Sequence, residues 1–477
     1  MLALSSLYSF LFALSLTLIN PWGENRGEIW TQPKILTVSL ITILNCLVSL
    51  SAYMKRSISI GSAWKIGLGL WMIFLGSGLI STILSPFPLR SLWGNSALGD
   101  GWIYWVLIGL FVVSNSLVLQ VNSTLFRSQL YGILAGGLIT SISIVPQLFD
   151  WRIDYTITSG QVTSFNPHRL VSTIWQSHMP IGLYSNRGHT AFVVATTAII
   201  SVLAALWKWI NPITFILFFL ILSFTLILTQ TRAGILAFLV SAIYLTLRCY
   251  QRSRKCLTVS LFSKTISRVR SLLIIFFLSF TSFTTLLCFT KFSKMDFFSM
   301  NYLETVSKGR FHLFNLGLKG IAEKPFFGWG FDGLGIAFPH IGDWTSFHKE
   351  YLMDSSPVSK VLRVDDFTFS YAGADGSFHL GILLTNKAHN LIIDNALSIG
   401  MIGLIASFIL FAFFIWNTSK SRLWGIEAVS IVYIIYTFFW FESAQYSHLF
   451  WWSVSFWNKS VDPICPMAIN LCSSKPK

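Results

Sequence analysis

"NKAHNLIIDNALSIGMIG", residues 386–403, opens an apolar run that continues to about residue 415. About 20 apolar residues of helix cross the ~30 Å hydrocarbon core of a bilayer, so the run reads as a membrane span. Its head carries His389 and Asn390, and its interior carries Gly400 and Gly403. At about 100° per residue, one helix through all four puts His389 within about 20° of Gly400, with Gly403 about 40° to the other side. On that reading the glycines form a face that a neighbouring helix approaches closely, and the clamped helix is a rigid mount for the imidazole. Asp394 lies about 140° from His389 and in phase with Asn390, which disfavours a His and Asp dyad within this helix.

The rest of the chain repeats the apolar theme. Of 477 residues 53% are hydrophobic, 16% aromatic and only 11% charged, and the mean hydropathy is +0.64. That composition excludes a soluble multidomain protein and predicts an all-α polytopic membrane protein. About twelve spans are expected, near 5–20, 35–53, 65–84, 102–120, 128–148, 189–206, 209–229, 232–247, 271–290, 390–415, 424–441 and 446–458. The last, "YSHLFWWSVSFWN", is short, and its tryptophans suit an interfacial aromatic belt. The first twenty residues lack a basic n-region and a cleavage site, so they read as a retained span.

Basic residues orient the map. Residues 248–270 carry Arg248, Arg252, Arg254, Lys255, Lys264, Arg268 and Arg270 with no acid, which marks a cytoplasmic loop. Counting outward puts Lys55, Arg56, Lys65, Arg127, Lys208, Lys420 and Arg422 on the same side and both termini in the cytoplasm. The expected organisation is five spans over 1–148, spans six to nine with a preceding outer loop over 149–290, a large outer loop over 291–388, three spans over 389–458 and a cytoplasmic tail over 459–477. The 98-residue loop 291–388 holds ten of the nineteen acids against ten lysines and arginines, and a small folded unit is expected there. The formal charge of +15 fits orientation and anionic lipid. No nucleic-acid motif or internal repeat is evident. Cys46 and Cys288 read as small buried hydrophobes, and Cys465 and Cys472 lack metal or redox spacing.

Four polar clusters fall at the outer ends of spans or in the outer loops. In "YSNRGHTAF", Asn186, Arg187 and His189 are either an interfacial anchor or substrate ligands. In "TQTRAG", Arg232 sits between two apolar runs, where a charge is costly unless it faces water or a partner. In residues 309–335, Phe311, Phe314, Leu318 and Ile321 form an apolar stripe at helical spacing, Arg310 stands at the helix start and Pro325 ends it. This amphipathic segment lies along the membrane surface or packs on the loop. The fourth cluster is the opening stretch. No Asp-x-Asp or clustered His and acid ligand set appears in the outer segments, and Asp365 with Asp366 reads as a solvated turn.

Together these clusters resemble the O-antigen ligase family, which also includes O-antigen polymerases. The family's late-helix pattern of histidine, Asn/Ser/Gln, nine residues, Gly, two residues and Gly/Thr/Tyr is matched by His389, Asn390, Gly400 and Gly403. Its Thr-x-Ser/Thr-Arg-x-Gly turn is matched by Thr229, Thr231, Arg232 and Gly234, and its loop motif by Arg310, Pro325, Phe326, Phe327, Gly328 and Gly330. An aromatic often found as Trp four residues after the loop arginine is Phe314 here. The match runs in order from about residue 180 to 405.

The resemblance implies a GT-C-like arrangement of twelve spans with a large outer loop between the ninth and tenth. It implies transfer of a glycan from a polyprenyl-pyrophosphate carrier to a glycan or lipid-glycan acceptor, at the outer face of the plasma (inner) membrane. His389 is then the general base, Arg232 and Arg310 neutralise the pyrophosphate with Arg187 as a third choice, and Asn390 orients the sugar or caps the helix. Asn186 and His189 are candidate substrate contacts. No cofactor or metal is expected, and a direct displacement inverts the anomeric centre. Two alternatives remain, a polysaccharide polymerase of the same family and a transporter of a bicarbonate-like anion.

Overall fold

The computed structural model describes residues 2–58, 60–122, 124–148, 180–256, 310–342, 358–383, 386–421 and 423–457, and four two-residue strands between 152 and 171. Helices α1 (Leu2–Thr17), α2 (Gln32–Met54, entered through a π turn at Gly27–Thr31) and α3 (Ser62–Ile83) are followed by a short α4 (Pro88–Trp93). Then come α5 (Trp102–Val121), α6 (Thr124–Ile142) and α7 (Ile144–Leu148). Strands β1 (Arg152–Ile153) and β4 (Leu170–Val171) pair antiparallel, as do β2 (Ile157–Thr158) and β3 (Gln161–Val162). Helices α8 (Arg187–Leu206), α9 (Pro212–Leu228) and α10 (Arg232–Cys256) complete the first part of the bundle. After them stand α11 (Arg310–Glu323), α12 (Gly333–Ile341) and an antiparallel sheet of β5 (Val358–Val364), β6 (Thr368–Gly373) and β7 (Phe378–Ile382). The chain closes with α13 (Leu391–Ser419), α14 (Glu427–Phe438) and α15 (His448–Val454).

Among the described residues, seven helices are long and apolar enough to cross a membrane, and three shorter apolar helices accompany them. Their faces are arranged for lipid. On α2, Leu36, Leu40, Ile43, Leu47 and Leu50 are exposed, while Thr42, Asn45 and Ser49 are buried. A helix in water does the reverse. Inside, Tyr8 of α1 donates to Asn45 Oδ1 at 2.6 Å, which ties the first two helices together. Helix α8 is buried from Gly188 through Ala204, and its many Ala, Thr and Ser residues let neighbours approach on every side.

Several expectations are corrected here. The ninth span, 271–290, the tail 459–477 and Cys288 lie outside the described residues. The twelfth is no span: α15 has seven residues, and Trp451, Trp452 and Trp457 are fully buried rather than set in an interfacial belt. Trp452 Nε1 donates to Gln129 Oε1 at 2.9 Å, while the buried N–H groups of Trp451 and Trp457 have no hydrogen-bond partner. Cys46 is a free, exposed thiol. On α11 the packing face is Leu316, Gly317 and Gly320, while Phe311 and Leu318 of the expected stripe point outward. The glycines decide this, because Cβ atoms at 317 and 320 would lie 2.5 Å from Ile393 Cγ2 and 2.7 Å from Leu397 Cδ2.

The main correction concerns α13. Asn390 is its N-cap, accepting from Ile392 N at 3.0 Å and Ile393 N at 3.2 Å, so His389 lies before the helix. Gly400, with φ 64° and ψ −176°, then breaks the helix. The phase relation between His389 and the glycines therefore does not hold. What packs on the glycine is not a helix but the loop 325–330. Trp329 N donates to Leu397 O at 2.7 Å and Gly330 N to Ser398 O at 2.9 Å, while Met401 N donates to Pro325 O at 2.8 Å and Ile402 N to Phe326 O at 3.3 Å. The loop supplies the partners that the break removes. Contact is so close that a Cβ on Gly400 would sit 2.2 Å from Phe326 O, and one on Gly328 2.5 Å from Leu397 O. Gly403 is tight locally, against Ile399.

Gly400→Ala and Gly328→Ala should each destabilise the protein, by at least ~1–2 kcal/mol from the left-handed backbone alone and more from the clash. Gly76→Ala, whose added Cβ meets nothing within 4 Å, is the control. Thermal unfolding in detergent checks this, and equal midpoints for all three variants would contradict the docked break.

Candidate active site

His389 has a left-handed backbone, φ 59°, between a buried Ala388 and the cap residue Asn390. Its ring meets Trp440 edge-on, with centroids 5.3 Å apart, and Phe441 at 4.8 Å. Nδ1 is buried without a hydrogen-bond partner. Burial, and then the charge of Arg310, lower the imidazole from 6.5 to about 3, so it is neutral at physiological pH. Asn390 Nδ2 donates to Phe438 O at 3.1 Å, so its amide caps α13 and ties that helix to the end of α14.

Arg310 is the first residue of α11. Its Nη1 donates to Phe439 O at 2.8 Å, and the guanidinium stands 5.0 Å over the Trp440 ring. Burial holds its pKa below the ordinary value, and the charge of Arg232 acts in the same direction. The two arginines and the histidine are thus within electrostatic reach along the line Arg232, Arg310, His389. Arg232 opens α10 and is exposed. It is placed there by a tight Thr229, Gln230, Thr231 turn with Gln230 at φ 49°, and by Gly234, whose Cβ would be 2.8 Å from Ala191 on α8.

The cluster at the start of α8 divides. Asn186 caps the helix, accepting from Gly188 N at 2.8 Å, and Arg187 follows half-buried as its first residue. His189 is in the core, its Nδ1 3.2 Å from Gln445 Oε1 and its ring against Phe441 and Tyr446. Its contact with the candidate centre runs through Phe441, not directly. Gly328 and Gly330, like Gly400, shape the backbone: a Cβ on Gly330 would meet Ser91 and Ser85.

Sequence reasoning missed Trp440. It touches His389 and Arg310, and the absent side chain of Gly188 makes room for it, since a Cβ there would lie 2.6 Å from the indole. In "FFWFE" it reads as the end of an apolar span. No local signal marks it, because the glycine that makes room for it, Gly188, is far away in the chain.

Also missed was a buried polar cavity of about 30 Å³, room for a water or two, lined in part by Asp100, Asp332, Lys387, Asp394 and Glu442. Burial opposes the charge on Lys387, but Asp100, Asp332 and Asp394 outweigh it and push its pKa up. Burial lifts Asp332 and Glu442 to about 7 each. Asp332 is held by Arg90, whose Nη2 lies 2.7 Å away, and Asp366 also pairs with Arg90. Asp366 is therefore a link to α4, not part of a solvated turn. Among the described residues no group of three or more His, Cys, Asp or Glu side chains is arranged to hold a metal ion.

A family model described as O-antigen ligase matches residues 217–359, from α9 to the start of β5. It takes in Arg232, Arg310 and the loop 325–330, and it ends before His389. This is the family that the motifs resemble. The matched segment is similar to that family, and the long apolar helices describe a multi-pass membrane protein. No curated protein matches the chain.

Because the His389 imidazole is held neutral far below 6.5, its modification by diethyl pyrocarbonate, which needs the unprotonated ring, should stay level from pH 7.5 to pH 5. Peptide mass spectrometry reads it out, and a decline centred near 6.5 would refute the shift.

Proposed function

We propose that the protein transfers a glycan from a polyprenyl-pyrophosphate carrier to the hydroxyl of a glycan or lipid-glycan acceptor, with inversion and without a metal. The site is at the outer face of the plasma membrane, in a multi-pass chain. The observation that carries this reading is a neutral imidazole, its Nδ1 buried without a hydrogen-bond partner, in the field of Arg310, which is itself in the field of Arg232, both arginines lying on the family-matched segment.

In the proposed reaction the acceptor oxygen attacks the anomeric carbon, and its proton passes to His389. The bond from that carbon to the pyrophosphate oxygen breaks, and the electron pair leaves with the pyrophosphate. Arg310 and Arg232 neutralise that leaving group, the task that divalent metals perform elsewhere. The resting imidazole is a weak base because it is buried and, as the smaller cause, because Arg310 is beside it. A bound pyrophosphate cancels that positive field and lifts the imidazole toward the range in which it accepts a proton. Ligase and polymerase share this chemistry and differ in acceptor.

The test is conversion of a lipid-linked oligosaccharide by the purified protein in the presence of EDTA. His389→Ala should lose about 10²–10⁴-fold in turnover. Arg310→Lys keeps the charge but not the planar fork, and should lose much of the activity as well. Wild-type turnover by His389→Ala would remove the general-base assignment, and loss of all activity in EDTA would remove the metal-free one.

A further inference from the structure

A non-glycine residue at φ 59° costs about 1–2 kcal/mol and persists only where its surroundings enforce it. Around His389 the enforcement comes from both sides. Asn386 Nδ2 donates to Asp366 O at 3.0 Å. The Lys387 ammonium is ion-paired with Asp100 in the polar cavity. Ala388 N donates to Asp394 Oδ1 at 2.7 Å, and Asn390 is fixed by its cap and by Phe438 O. The side chain of residue 387 and the amide of residue 388 are thus drawn toward one buried cavity. The His389 ring is turned instead to Trp440, Phe441 and the field of Arg310.

We propose that Lys387 and Asp394 are positioning residues of the transfer reaction: they anchor the backbone before His389 to the acidic cavity and so impose the left-handed turn that aims the imidazole. Asp394 therefore serves the histidine through the Ala388 amide and not through the ring. Its Oδ2 has no hydrogen-bond partner, so one acceptor oxygen suffices for the role. Lys387 is kept charged by Asp100, Asp332 and Asp394, and its removal alone leaves buried carboxylates without compensation. The inference rests on His389 being the base.

The experiment measures turnover and donor KM on the full-length protein with a lipid-linked oligosaccharide. Asp394→Ala should lower kcat about ten- to a hundredfold with donor KM little changed, and Asp394→Asn, which keeps an acceptor oxygen, should restore most of it. If Asp394→Ala does not fold, the double variant Lys387→Met/Asp100→Asn, which removes both members of the buried ion pair together, should give the same kcat-only loss. In a His389→Ala background neither change should reduce the residual rate further, because the aimed group is gone. Equal losses with and without His389 mean general structural damage and overturn the proposal, as does wild-type kcat in Asp394→Ala. Full activity of His389→Ala by itself is a different result, since it removes the base assignment on which the proposal rests.

Discussion

The structure depends on a broken helix that must not leave its backbone unpaired. In hydrocarbon an unsatisfied N–H or C=O costs several kcal/mol, so a break in a membrane helix survives only where something supplies the missing partners. At Gly400 that something is the loop 325–330, which exchanges four backbone hydrogen bonds with residues 397, 398, 401 and 402. Ser81 Oγ adds a 2.6 Å bond to Ser398 O, so α3 is drawn into the same junction. The loop follows α11 directly, so this junction anchors the C-terminal end of the helix that Arg310 opens.

Charge is distributed with the same economy of placement. Arg310 and Arg232 are close enough to oppose each other, which is unfavourable without an anion and favourable with one. The carboxylates gather instead around Lys387 and Arg90, on the other side of the 386–390 turn. Between the two regions lies His389, flanked by Trp440 and Phe441. Aromatic rings keep water from the imidazole, which is why burial is the larger part of its pKa shift.

The order of motifs along the chain pointed to His389 and Arg310, which share Trp440 as a neighbour, although the geometric argument made for them was wrong. His389 and the glycines are not on one helical face; Asn390 caps the helix and Gly400 interrupts it. The cap was legible in principle, since Asn before an apolar run with an acid in the first turn is a helix start. The break was not, because glycine inside a membrane helix is ordinary and only a docked loop makes it a kink. The same limit applies to Trp451 and Trp452, whose burial depends on Gln129 and on neighbouring rings far away in sequence.

The sequence by itself determined the membrane class, most of the long helices, the family resemblance and the short list of His389, Arg310 and Arg232. Those follow from local quantities: apolar run length, the price of charge in lipid, and residue order. Only the tertiary structure decided the left-handed turn at His389, the use of Trp440 as a shared neighbour, the cavity around Lys387, and the helical cap roles of Asn186 and Asn390. Each of these depends on which distant backbone groups and side chains a residue meets, and helical periodicity carries no information about that.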